Sequence, residues 1–524
     1  MKAGHNQAAT HAASPDVAVP VSLAACHAAW LKARRGKRPS ANQLAFEAGW
    51  LDRLLDLKTA LRAGVWQPRR TVSFIVSHPK TREIHAPDFA DRVVHHILVE
   101  RLEKIYEPIF IHDSYANRKG KGSHAAVDRL QQFMRSRNGQ GWYMQLDIHN
   151  CFNSINRHIL YRMVCKRIEQ CERRGNRPFP FRGKDRMGVG SFAAINPIPT
   201  PTLPLKGREA GRGAPLPGAH ALALRSLCHK LLANKVTECV RDPAAAARLP
   251  AHKRLAHAQP GCGLPVGNLS SQFFANVYLN ALDQFVKHKL KCSHYVRYVD
   301  DFVLLATTSQ QLQQWQAQIE EFLATTLRLK LKDAVLLQPL CQGIDFLGYR
   351  VFAGHRRVRP RVVQHCKAKL TAWAMQHVKQ TALGITIHAL PPALDQLQAM
   401  LASYWGHFEH AHSVRLRHAI FERFAWLKIL FALTPSGQLH ARWVLQGETV
   451  ARQTAELRAL WPGAVCLIQK GYQCMVWQPL HAQPATPPQR VHARQTGWLR
   501  HGTRRREISD WFIPQPGLFI PAFV

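Results

Sequence analysis

Two adjacent carboxylates, Asp300 and Asp301, lie within the stretch YVRYVDDFVLLA, residues 295–306. Short runs of β-branched and aromatic residues flank the pair, and this pattern predicts a β-hairpin that carries both acids at its tip. Two ionised carboxylates side by side repel each other, so a fold tolerates them where the turn is exposed or where a divalent cation compensates their charge. The stretch alone is compatible with both interpretations, because aspartate is also common in ordinary turns.

The overall charge of the chain restricts its partners. Among 524 residues, 71 Lys and Arg stand against 33 Asp and Glu, which gives a formal net charge of +38. Such self-repulsion destabilises a compact chain unless an anionic partner neutralises it, and a phosphate backbone is the usual partner of a basic globular protein. A membrane is not expected as a partner, because no apolar run approaches the roughly 20 residues of a spanning helix.

Cysteine usage and the N-terminal segment indicate the compartment. The 12 cysteines form no CxxC pair, so we expect free thiols in a reducing cytosol. The histidines lack acidic or cysteine partners at metal-ligand spacing, and zinc is therefore not expected. Residues 1–20 are alanine-rich without the continuous apolar core of a signal peptide, which predicts a disordered leader on a cytoplasmic protein.

A length of 524 residues predicts two or three domains, and hydrophobic periodicity predicts both helices and strands, as in an α+β fold. Helical patterns cover residues 22–64, 91–106, 222–240, 310–325, most of 361–433, 441–460, and a long helix that begins near 270. Strand patterns cover residues 71–76, 82–86, 142–148, 344–352 and 464–469, with a strand pair at 327–337. Residues 173–220 are rich in Pro, Gly and Arg, which predicts a disordered insertion.

A third carboxylate, Asp147, ends the predicted strand WYMQLDI, residues 142–148. In a right-handed βαββ sheet, this residue and the carboxylate pair of the hairpin converge on one edge. Three such side chains are able to hold two Mg²⁺ ions about 4 Å apart, the arrangement that stabilises the attacking and leaving oxygens in phosphoryl transfer. The pattern therefore favours the palm of a nucleic-acid polymerase.

Six motifs in the expected order make the sequence resemble a reverse transcriptase. LDIHNCFNSI, GLPVGNLSSQFFANVYL and YVDD resemble the three palm motifs, and IDFLGY resembles the primer-contacting hairpin that follows them. Upstream, KTREIHAPDFADRVVHH and SYANRKGKG resemble the fingers motifs. Together they cover about residues 65 to 415. The resemblance implies RNA-directed DNA polymerase activity with two Mg²⁺ ions, or Mn²⁺ as a substitute, acting on an RNA template, a DNA or RNA primer and dNTPs.

Within that family, the sequence is most similar to the diversity-generating retroelement class. The residues that carry this resemblance are the motif VGNLSSQ, which begins at Val266 and ends at Gln272, and the strings DSYANRKGKGSHAA and ASYWGHFEHA. The class copies a template-repeat RNA into adenine-mutagenised cDNA, with a small, basic, oligomeric accessory variability protein as partner, in bacteria or phages. A group II intron-like, retron or antiphage-defence enzyme is the alternative, and a non-catalytic RNA-binding scaffold is the second.

The resemblance also implies roles for single residues. Asp147, Asp300 and Asp301 would be the metal ligands. Phe152 falls where the family places an aromatic gate against the ribose 2′-hydroxyl, although a core phenylalanine is the plainer interpretation. Arg82 matches the fingers arginine over the incoming nucleotide.

Further positions are implied with less specific patterns. Lys119 and Lys121 are candidates for triphosphate or template contact, and Gln272 for nucleotide contact. Tyr298, Gly348 and Tyr349 would lie along the primer and template.

Val266 departs from most reverse transcriptases, which have a glutamine able to hydrogen-bond the nucleotide or template strand. In this class an apolar residue here accompanies misincorporation opposite template adenines. Valine cannot make this hydrogen bond. Without it, we expect a smaller free-energy difference between correct and poorly shaped base pairs. The family lysine that donates a proton to pyrophosphate falls on Ala334 in this register, and Lys332 or Lys330 are the alternatives.

The resemblance predicts a right-hand polymerase fold with fingers, a ferredoxin-like βαββ palm and a helical thumb, followed by a small C-terminal α/β domain. The predicted segments are a leader at 1–20, N-terminal helices and fingers at 21–135, a palm at 136–355 that includes the insertion, a thumb at 356–433 and an extension at 434–524. Residues 441–480 faintly resemble the mismatch-recognition domain of the MutS family. Its mismatch-wedging Phe and Glu are absent, so a nucleic-acid-binding or docking role and a packing-only extension remain open.

Overall fold

The chain was analysed as a computed structural model. It describes residues 17–36, 39–77, 80–175, 218–234, 238–381, 384–389, 391–441, 466–470, 473–477, 495–501 and 504–508. Two compact units divide it, Met1–Gln342 and Gly343–Val524.

The first unit contains both helices and strands. Its helices are α1 (Leu23–Arg34), α2 (Ala41–Ala48), α3 (Trp50–Arg62), α4 (Phe89–Tyr106), α5 (Ser123–Ser136), α6 (Cys151–Ser154), α7 (Arg157–Gly175), α8 (Gly218–Ala233), α9 (Pro243–Ala247), α10 (Leu269–Gln284) and α11 (Ser309–Phe322). Its strands are β1 (Thr71–Val76), β2 (Arg82–Ala86), β3 (Trp142–Asp147), β4 (Glu238–Val240), β5 (Tyr295–Tyr298), β6 (Asp301–Ala306) and β7 (Leu336–Pro339).

A four-stranded antiparallel sheet forms the centre of this unit, in the order β5-β6-β3-β7. The strands and helices follow each other along the chain as in a ferredoxin-like βαββαβ unit. This agrees with the expected βαββ sheet and adds helix α11 and a fourth strand. The sheet packs on helices because its inner positions are apolar: Met144 and Leu146 of β3 and Phe302 and Leu304 of β6 are buried in one core.

A second sheet, in the order β2-β1-β4, contains the predicted strands β1 and β2 with their predicted bounds. The third strand was not expected. The helical pattern at 222–240 predicted a single helix that ends at residue 240. In the structure α8 ends at Ala233, and β4 follows and pairs in parallel with β1. Val72 and Val76 of β1 pair with Ala86 and Arg82 of β2.

The expected strand pair at 327–337 is wrong. A π-helical turn at Leu323–Leu327 is followed by Arg328 in a left-handed conformation, and only one strand, β7, forms. An isolated bridge between Leu331 and Ile148 extends the sheet beyond the end of β3. The alternation of Leu and Lys in LRLKLKD, residues 327–333, is typical of a strand. This segment forms no strand in the structure and contributes only the bridge at Leu331.

The two segments that were predicted to be disordered, the leader and the insertion, contain ordered residues at their ends. In the leader, Val19 is 2% exposed and its amide donates to the carbonyl of Leu61 at 2.8 Å, so this residue is packed. Helix α7 continues to Gly175 and α8 begins at Gly218, inside the segment predicted as an insertion. Residues 1–16 and 176–217 lie outside the described residues.

The second unit has its own core, in which α12 (Pro360–His377), α13 (Pro391–Glu409), α14 (Val414–Arg423) and α15 (Leu427–Leu430) contribute most of the buried residues. Its strands are β8 (Ile344–Phe346), β9 (Tyr349–Val351), β10 (Arg356–Val358), β11 (Val378–Thr381), β12 (Gly384–Ile387), β13 (Phe431–Leu433) and β14 (Leu439–Ala441). The two units separate at 342/343, whereas the predicted palm and thumb separate at 355/356. The IDFLGY hairpin therefore belongs to the helical unit, and the β11-β12 hairpin interrupts the expected run of helices.

Two hairpins are described in the C-terminal segment. They are formed by β15 (Cys466–Lys470) with β16 (Gln473–Trp477) and by β17 (Gln495–His501) with β18 (Arg504–Ile508). The strand predicted at 464–469 overlaps β15, and most of the helix predicted at 441–460 lies outside the described residues. Within the described part of the chain, no helix combines the length and apolar character that crossing a membrane requires.

Helix α4 carries a buried acid in its first turn. Asp91 is 1% exposed, and its Oδ2 accepts from the Arg69 amide at 2.7 Å. Burial raises the pKa of this carboxyl to about 7, against the opposing effect of the Arg69 hydrogen bond. Ionised Asp91 is therefore disfavoured in the folded chain relative to the unfolded one.

We expect the Asp91→Asn variant to be more stable than the wild type at pH 8, by about 2–4 kcal/mol. The folded pKa lies above the unfolded value near 4, so the wild type loses stability as the pH rises from about 4 to about 7, and the amide does not. Denaturant unfolding at pH 4.5 and pH 8 measures the difference, which should nearly vanish at the lower pH. Asp52→Asn, an exposed acid in the first turn of α3, is the control. An equal effect at both pH values would contradict the assignment.

Candidate active site

The hairpin of β5 and β6 brings the three predicted carboxylates to one edge of the central sheet. Asp147, the last residue of β3, pairs directly with Asp301, the first residue of β6. Asp300 lies in the two-residue turn between Tyr298 and Asp301, which also form a pair. The hairpin was predicted with both acids at its tip, but only Asp300 occupies the turn.

The proximity of these acids changes their ionisation. Burial and the neighbouring Asp147 raise the pKa of Asp300. Burial raises the pKa of Asp301 to about 6, and Asp147 and Asp300 act in the same direction. The Gln145 side chain opposes this shift, because its Nε2 donates to Asp301 Oδ1 at 2.9 Å. The edge of the sheet is thus a place where negative charge is concentrated and incompletely compensated.

Asp147 is held by the segment that follows α11. The Lys332 amide donates to the Asp147 carbonyl at 2.8 Å, and the Lys332 ammonium forms an ion pair with Asp147 Oδ2. Of the two lysines offered as alternatives to Ala334, Lys332 thus contacts a site carboxylate, and its role toward pyrophosphate stays a prediction. The other oxygen, Asp147 Oδ1, is buried and has no hydrogen-bond partner.

These residues fit a divalent cation in charge and ligand type. The orphaned Asp147 Oδ1 and the raised pKa values of the other two acids are both relieved by a bound cation, and carboxylate oxygens are the ligands that Mg²⁺ prefers. The fit does not extend to spacing, because among the described residues no group of three or more His, Cys, Asp or Glu side chains is close enough together to hold a metal ion. In this arrangement the Lys332 ammonium supplies positive charge at the site.

The turn that presents the acids is strained. Val299 has a φ of +57°, and the left-handed region is unfavourable for a β-branched residue. Its carbonyl accepts a hydrogen bond from Arg297 Nη1 at 2.9 Å. Arg297 lies in the preceding strand, so a side chain of the hairpin itself holds the strained turn.

Arg297 is fully buried and pairs with Asp283 of α10. Two parallel hydrogen bonds join the guanidinium to this carboxylate, at 2.7 Å from Nε to Oδ1 and 2.6 Å from Nη2 to Oδ2. The Tyr295 hydroxyl also donates to Asp283 Oδ1, at 2.8 Å. Further bonds lead from the guanidinium to Asn276 Oδ1 at 3.3 Å and to Ser114 Oγ at 3.2 Å. The network anchors the hairpin to helix α10 and to the segment before α5.

Arg82 and Val266 lie on two neighbouring segments. Arg82 begins β2, and its guanidinium lowers the pKa of Asp300, against the larger effects of burial and Asp147. The Val266 carbonyl accepts from the His85 amide of β2 at 2.7 Å. At the next position, Gly267, a Cβ would lie 2.9 Å from Ile84 Cγ2, with φ at +113°. A glycine is required there because the loop lies directly on β2, and Val266 is held on the same sheet as Arg82.

Phe152 and Gln272 are both half-buried. Phe152 lies in the short helix α6 just after Asp147, packs against the core of the first unit, and its carbonyl accepts from the Leu264 amide at 2.8 Å. Gln272 lies in the first turn of α10, where its amide donates to Asn268. One side of Phe152 therefore packs against the core of the first unit. Its contact with a ribose stays a prediction.

Lys119 and Lys121 make local contacts. Lys119 is exposed and lies 3.6 Å from Glu103. The Lys121 ammonium donates to the His112 carbonyl at 3.0 Å and stands 4.8 Å from the centre of the Tyr115 ring. None of these described contacts involves the three carboxylates, so a role in nucleotide binding stays a prediction for both lysines.

Gly348 and Tyr349 belong to the second unit. Gly348 has a φ of +94°, and a Cβ there would lie 2.8 Å from the His407 ring. The Tyr349 side chain is fully buried, stacks on that ring at 4.3 Å and donates to the His407 carbonyl at 2.8 Å. The Tyr349 side chain therefore packs inside the second unit, and its contact with a primer stays a prediction, as does that of Gly348. Tyr298, in the first unit, is half-buried beside Asp301.

A known protein is similar to part of this chain. The group II intron-encoded protein LtrA of Lactococcus lactis subsp. cremoris is 27% identical over 113 residues, which are 21% of this chain and 18% of LtrA, and the protein of strain MG1363 gives the same values. The chain thus spans less than a fifth of the length of the curated relatives it matches. No protein-family profile matches the sequence.

Solved telomerase structures show a weak likeness in fold. A telomerase of Candida albicans, in complex with a fragment of telomeric RNA, is 12% identical with a TM-score of 0.32, over 72% of this chain and 61% of that chain. The apo telomerase of Candida tropicalis is 11% identical with a TM-score of 0.35, over 68% and 62%. TM-scores of this size do not by themselves establish a shared fold.

Sequence reasoning missed the residues that support the site. Arg297 stands between aromatic and β-branched residues in a strand, and a charge at a position where its neighbours are buried is the signal that could have found it. Its partner Asp283 carries a similar signal, because it follows the apolar residues Leu279 and Leu282 of α10, which are buried. Neither signal identifies the partner.

We expect Arg297→Met to destabilise the first unit by about 3–5 kcal/mol, because it leaves the Asp283 carboxylate buried without its partner. Adding Asp283→Leu should recover at least half of that loss, since the uncompensated charge is then removed. Free energies of unfolding from denaturant titrations measure both effects. Lys32→Met breaks an exposed pair with Glu100 and should cost less than about 1 kcal/mol. A double variant as unstable as Arg297→Met would show that the pair is not the source of the effect.

Proposed function

We propose that this protein is an RNA-directed DNA polymerase. The observation that carries the proposal is the meeting of Asp147, Asp300 and Asp301 at the edge of an antiparallel sheet with a βαββαβ chain order. The order of the six sequence motifs and the similarity to LtrA over 113 residues support the same activity. The proposed substrates are an RNA template, a DNA or RNA primer and dNTPs.

In the proposed reaction, the three carboxylates would hold two Mg²⁺ ions, or Mn²⁺ in their place, after moving closer together than they stand in this structure. When bound, such ions lower the pKa of the primer 3′-hydroxyl and neutralise charge on the triphosphate. Arg82, whose guanidinium acts on Asp300, orients the triphosphate on the side of β2. Phe152 limits the space at the ribose, and Lys332 is positioned to hold a proton beside Asp147.

The proposed subclass is that of the diversity-generating retroelements, which produce adenine-mutagenised cDNA for targeted gene diversification (mutagenic retrohoming). The VGNLSSQ motif supports it, together with the position of Val266 on the sheet that carries Arg82. A basic, oligomeric accessory variability protein is the proposed partner in binding the RNA. The C-terminal extension with its faint MutS resemblance is proposed as a nucleic-acid or partner docking segment.

A group II intron-like reverse transcriptase is the second candidate. It is favoured by one observation, the similarity to the group II intron-encoded protein LtrA. The two candidates differ in the expected error pattern, because only the first concentrates its errors opposite template adenines.

We expect Asp300→Asn to reduce Mg²⁺-dependent dNTP incorporation on an RNA template by about a thousandfold, as several kcal/mol of transition-state stabilisation are lost. Primer extension with labelled dNTPs measures this. Asp333→Asn, which changes an exposed acid just after Lys332, should leave the rate unchanged. Undiminished extension by Asp300→Asn would refute the assignment, and an inactive wild type supplied with partner and cognate RNA would favour a non-catalytic RNA-binding scaffold.

We expect Val266→Gln to lower misincorporation opposite template adenine by about fivefold, because a hydrogen bond of about 1 kcal/mol returns to the selection of the correct pair. Sequencing of the cDNA gives the error rate at each template base. Val65→Gln, at an exposed valine, is the matched control and should not change it. Adenine errors that persist in Val266→Gln would argue against the proposed role and leave the group II candidate in the stronger position.

A further inference from the structure

A row of exposed basic residues lies beside the carboxylate site. It consists of Lys330, His149, His252 and Lys253, and we name it the basic row. All four residues are exposed to solvent. They come from three segments that are distant in sequence: the segment that follows α11, the end of β3 and the loop before α10. Their proximity is therefore a property of the fold and not of local sequence.

Backbone pairing joins the first two segments. An isolated bridge sets them side by side, and the His149 amide donates to the Lys330 carbonyl at 2.8 Å. Two residues further along the same segment, Lys332 donates from its amide to the Asp147 carbonyl and forms an ion pair with the carboxylate. The basic row therefore begins next to one of the three site acids.

Side-chain contacts bring the third segment to the same place. The ring of His252 stacks on the ring of His149, with centroids 6.3 Å apart and planes at 29°. Asn153 of α6 donates from Nδ2 to the His252 carbonyl at 3.3 Å. Oε2 of Glu83 in β2 accepts from the Leu255 amide at 2.7 Å. The loop is tied to two elements, so the backbone that carries its cations is held in place.

The charge of the basic row is not neutralised by the described part of the chain. Lys253, Lys330 and His252 form no ion pair with a described acid. Glu83 is 5% exposed, and its carboxylate bonds to the loop backbone and to His85. Exposed cations that are fixed close together and lack acidic partners produce a positive local potential, which attracts an anion.

The neighbouring acids determine which anion gains most from this potential. Asp147, Asp300 and Asp301 concentrate negative charge at the sheet edge, and this charge repels an approaching triphosphate. Positive charge beside the acids offsets that repulsion and raises the local concentration of the anion. The loop of the basic row is also bonded to α6, which carries Phe152, and to β2, which carries Arg82. These two residues are the proposed contacts of the ribose and the triphosphate.

We propose that the basic row binds the phosphate chain of an incoming nucleoside triphosphate before the nucleotide reaches the carboxylates. This inference rests on the proposed polymerase function and adds residues to the route by which its substrate arrives. A nucleic-acid strand is less favoured, because sites for single strands combine cations with aromatic side chains on which the bases stack. In the three segments of the row, the described residues include no exposed Phe, Tyr or Trp.

Primer extension at varied dNTP concentrations tests the proposal. Lys253→Met should raise the KM for dNTP by about fivefold at low salt and leave kcat unchanged, since the row acts before the chemical step. Adding Lys330→Met should raise this KM further. Interactions of exposed charges are screened by salt, so the difference from the wild type should nearly vanish at about 0.5 M ionic strength. Lys289→Met removes the same charge from an exposed lysine beyond the C-terminal end of α10 and is the control.

Binding of inorganic tripolyphosphate to the full chain, measured by titration calorimetry, tests the row without catalysis. Lys253→Met should weaken this binding about threefold relative to Lys289→Met. This measurement applies even to a chain that incorporates no dNTP, so failure of this proposal is separable from failure of the polymerase proposal.

Two results would overturn the proposal. The first is the absence of a difference between Lys253→Met and Lys289→Met, in tripolyphosphate binding or, where the wild type is active, in the KM for dNTP. The second is a loss of affinity for the primer–template in Lys253→Met with an unchanged KM for dNTP, which would assign the row to a nucleic-acid strand.

Discussion

The candidate site depends on one buried ion pair. Arg297 and Asp283 are both fully excluded from water, and neither charge would be tolerated there alone. The pair joins a strand that precedes the carboxylates to the last turn of α10, and the same guanidinium holds the strained carbonyl of Val299. The position of Asp300 in space is therefore fixed by a hydrogen-bond network that contains none of the site carboxylates.

This anchorage explains how the fold tolerates three acids at one edge of a sheet. Burial, and after it the neighbouring carboxylates, raise the pKa values of Asp300 and Asp301, and a flexible turn would relieve the repulsion by moving the acids apart. The network prevents that movement. The Lys332 ammonium pairs with Oδ2 of Asp147. Oδ1 of the same carboxylate is buried and accepts no hydrogen bond, so the negative charge of the site is only partly balanced. The hairpin thus keeps its acids at one edge of the sheet, where a cation would offset their charge.

The sequence predicts those parts of the fold that follow from local pattern. Strands β1, β2 and β3 and the hairpin are predictable because alternation and turn residues act over a few neighbouring positions. The segment at 327–337 was mispredicted because the alternation of Leu and Lys at 327–333 is typical of a strand, whereas the chain there forms a single bridge at Leu331 and β7 begins only at Leu336. Partners distant in sequence, such as Arg297 with Ser114, or Lys332 with Asp147, depend on tertiary packing that no local pattern encodes. The parallel strand β4 was missed for the same reason, since its partner β1 lies far away in the chain.

Helix α10 connects the features that matter most to the proposals. Its N-terminal side carries the loop with Val266 and Asn268, and its C-terminal turn carries Asp283. A helix of 16 residues is about 24 Å long and rigid on that scale. The distance between the loop on β2 and the anchor of the carboxylate hairpin is therefore set by one element. If the chain is the proposed polymerase, a change of residue in the loop therefore leaves the anchor of the acids in place.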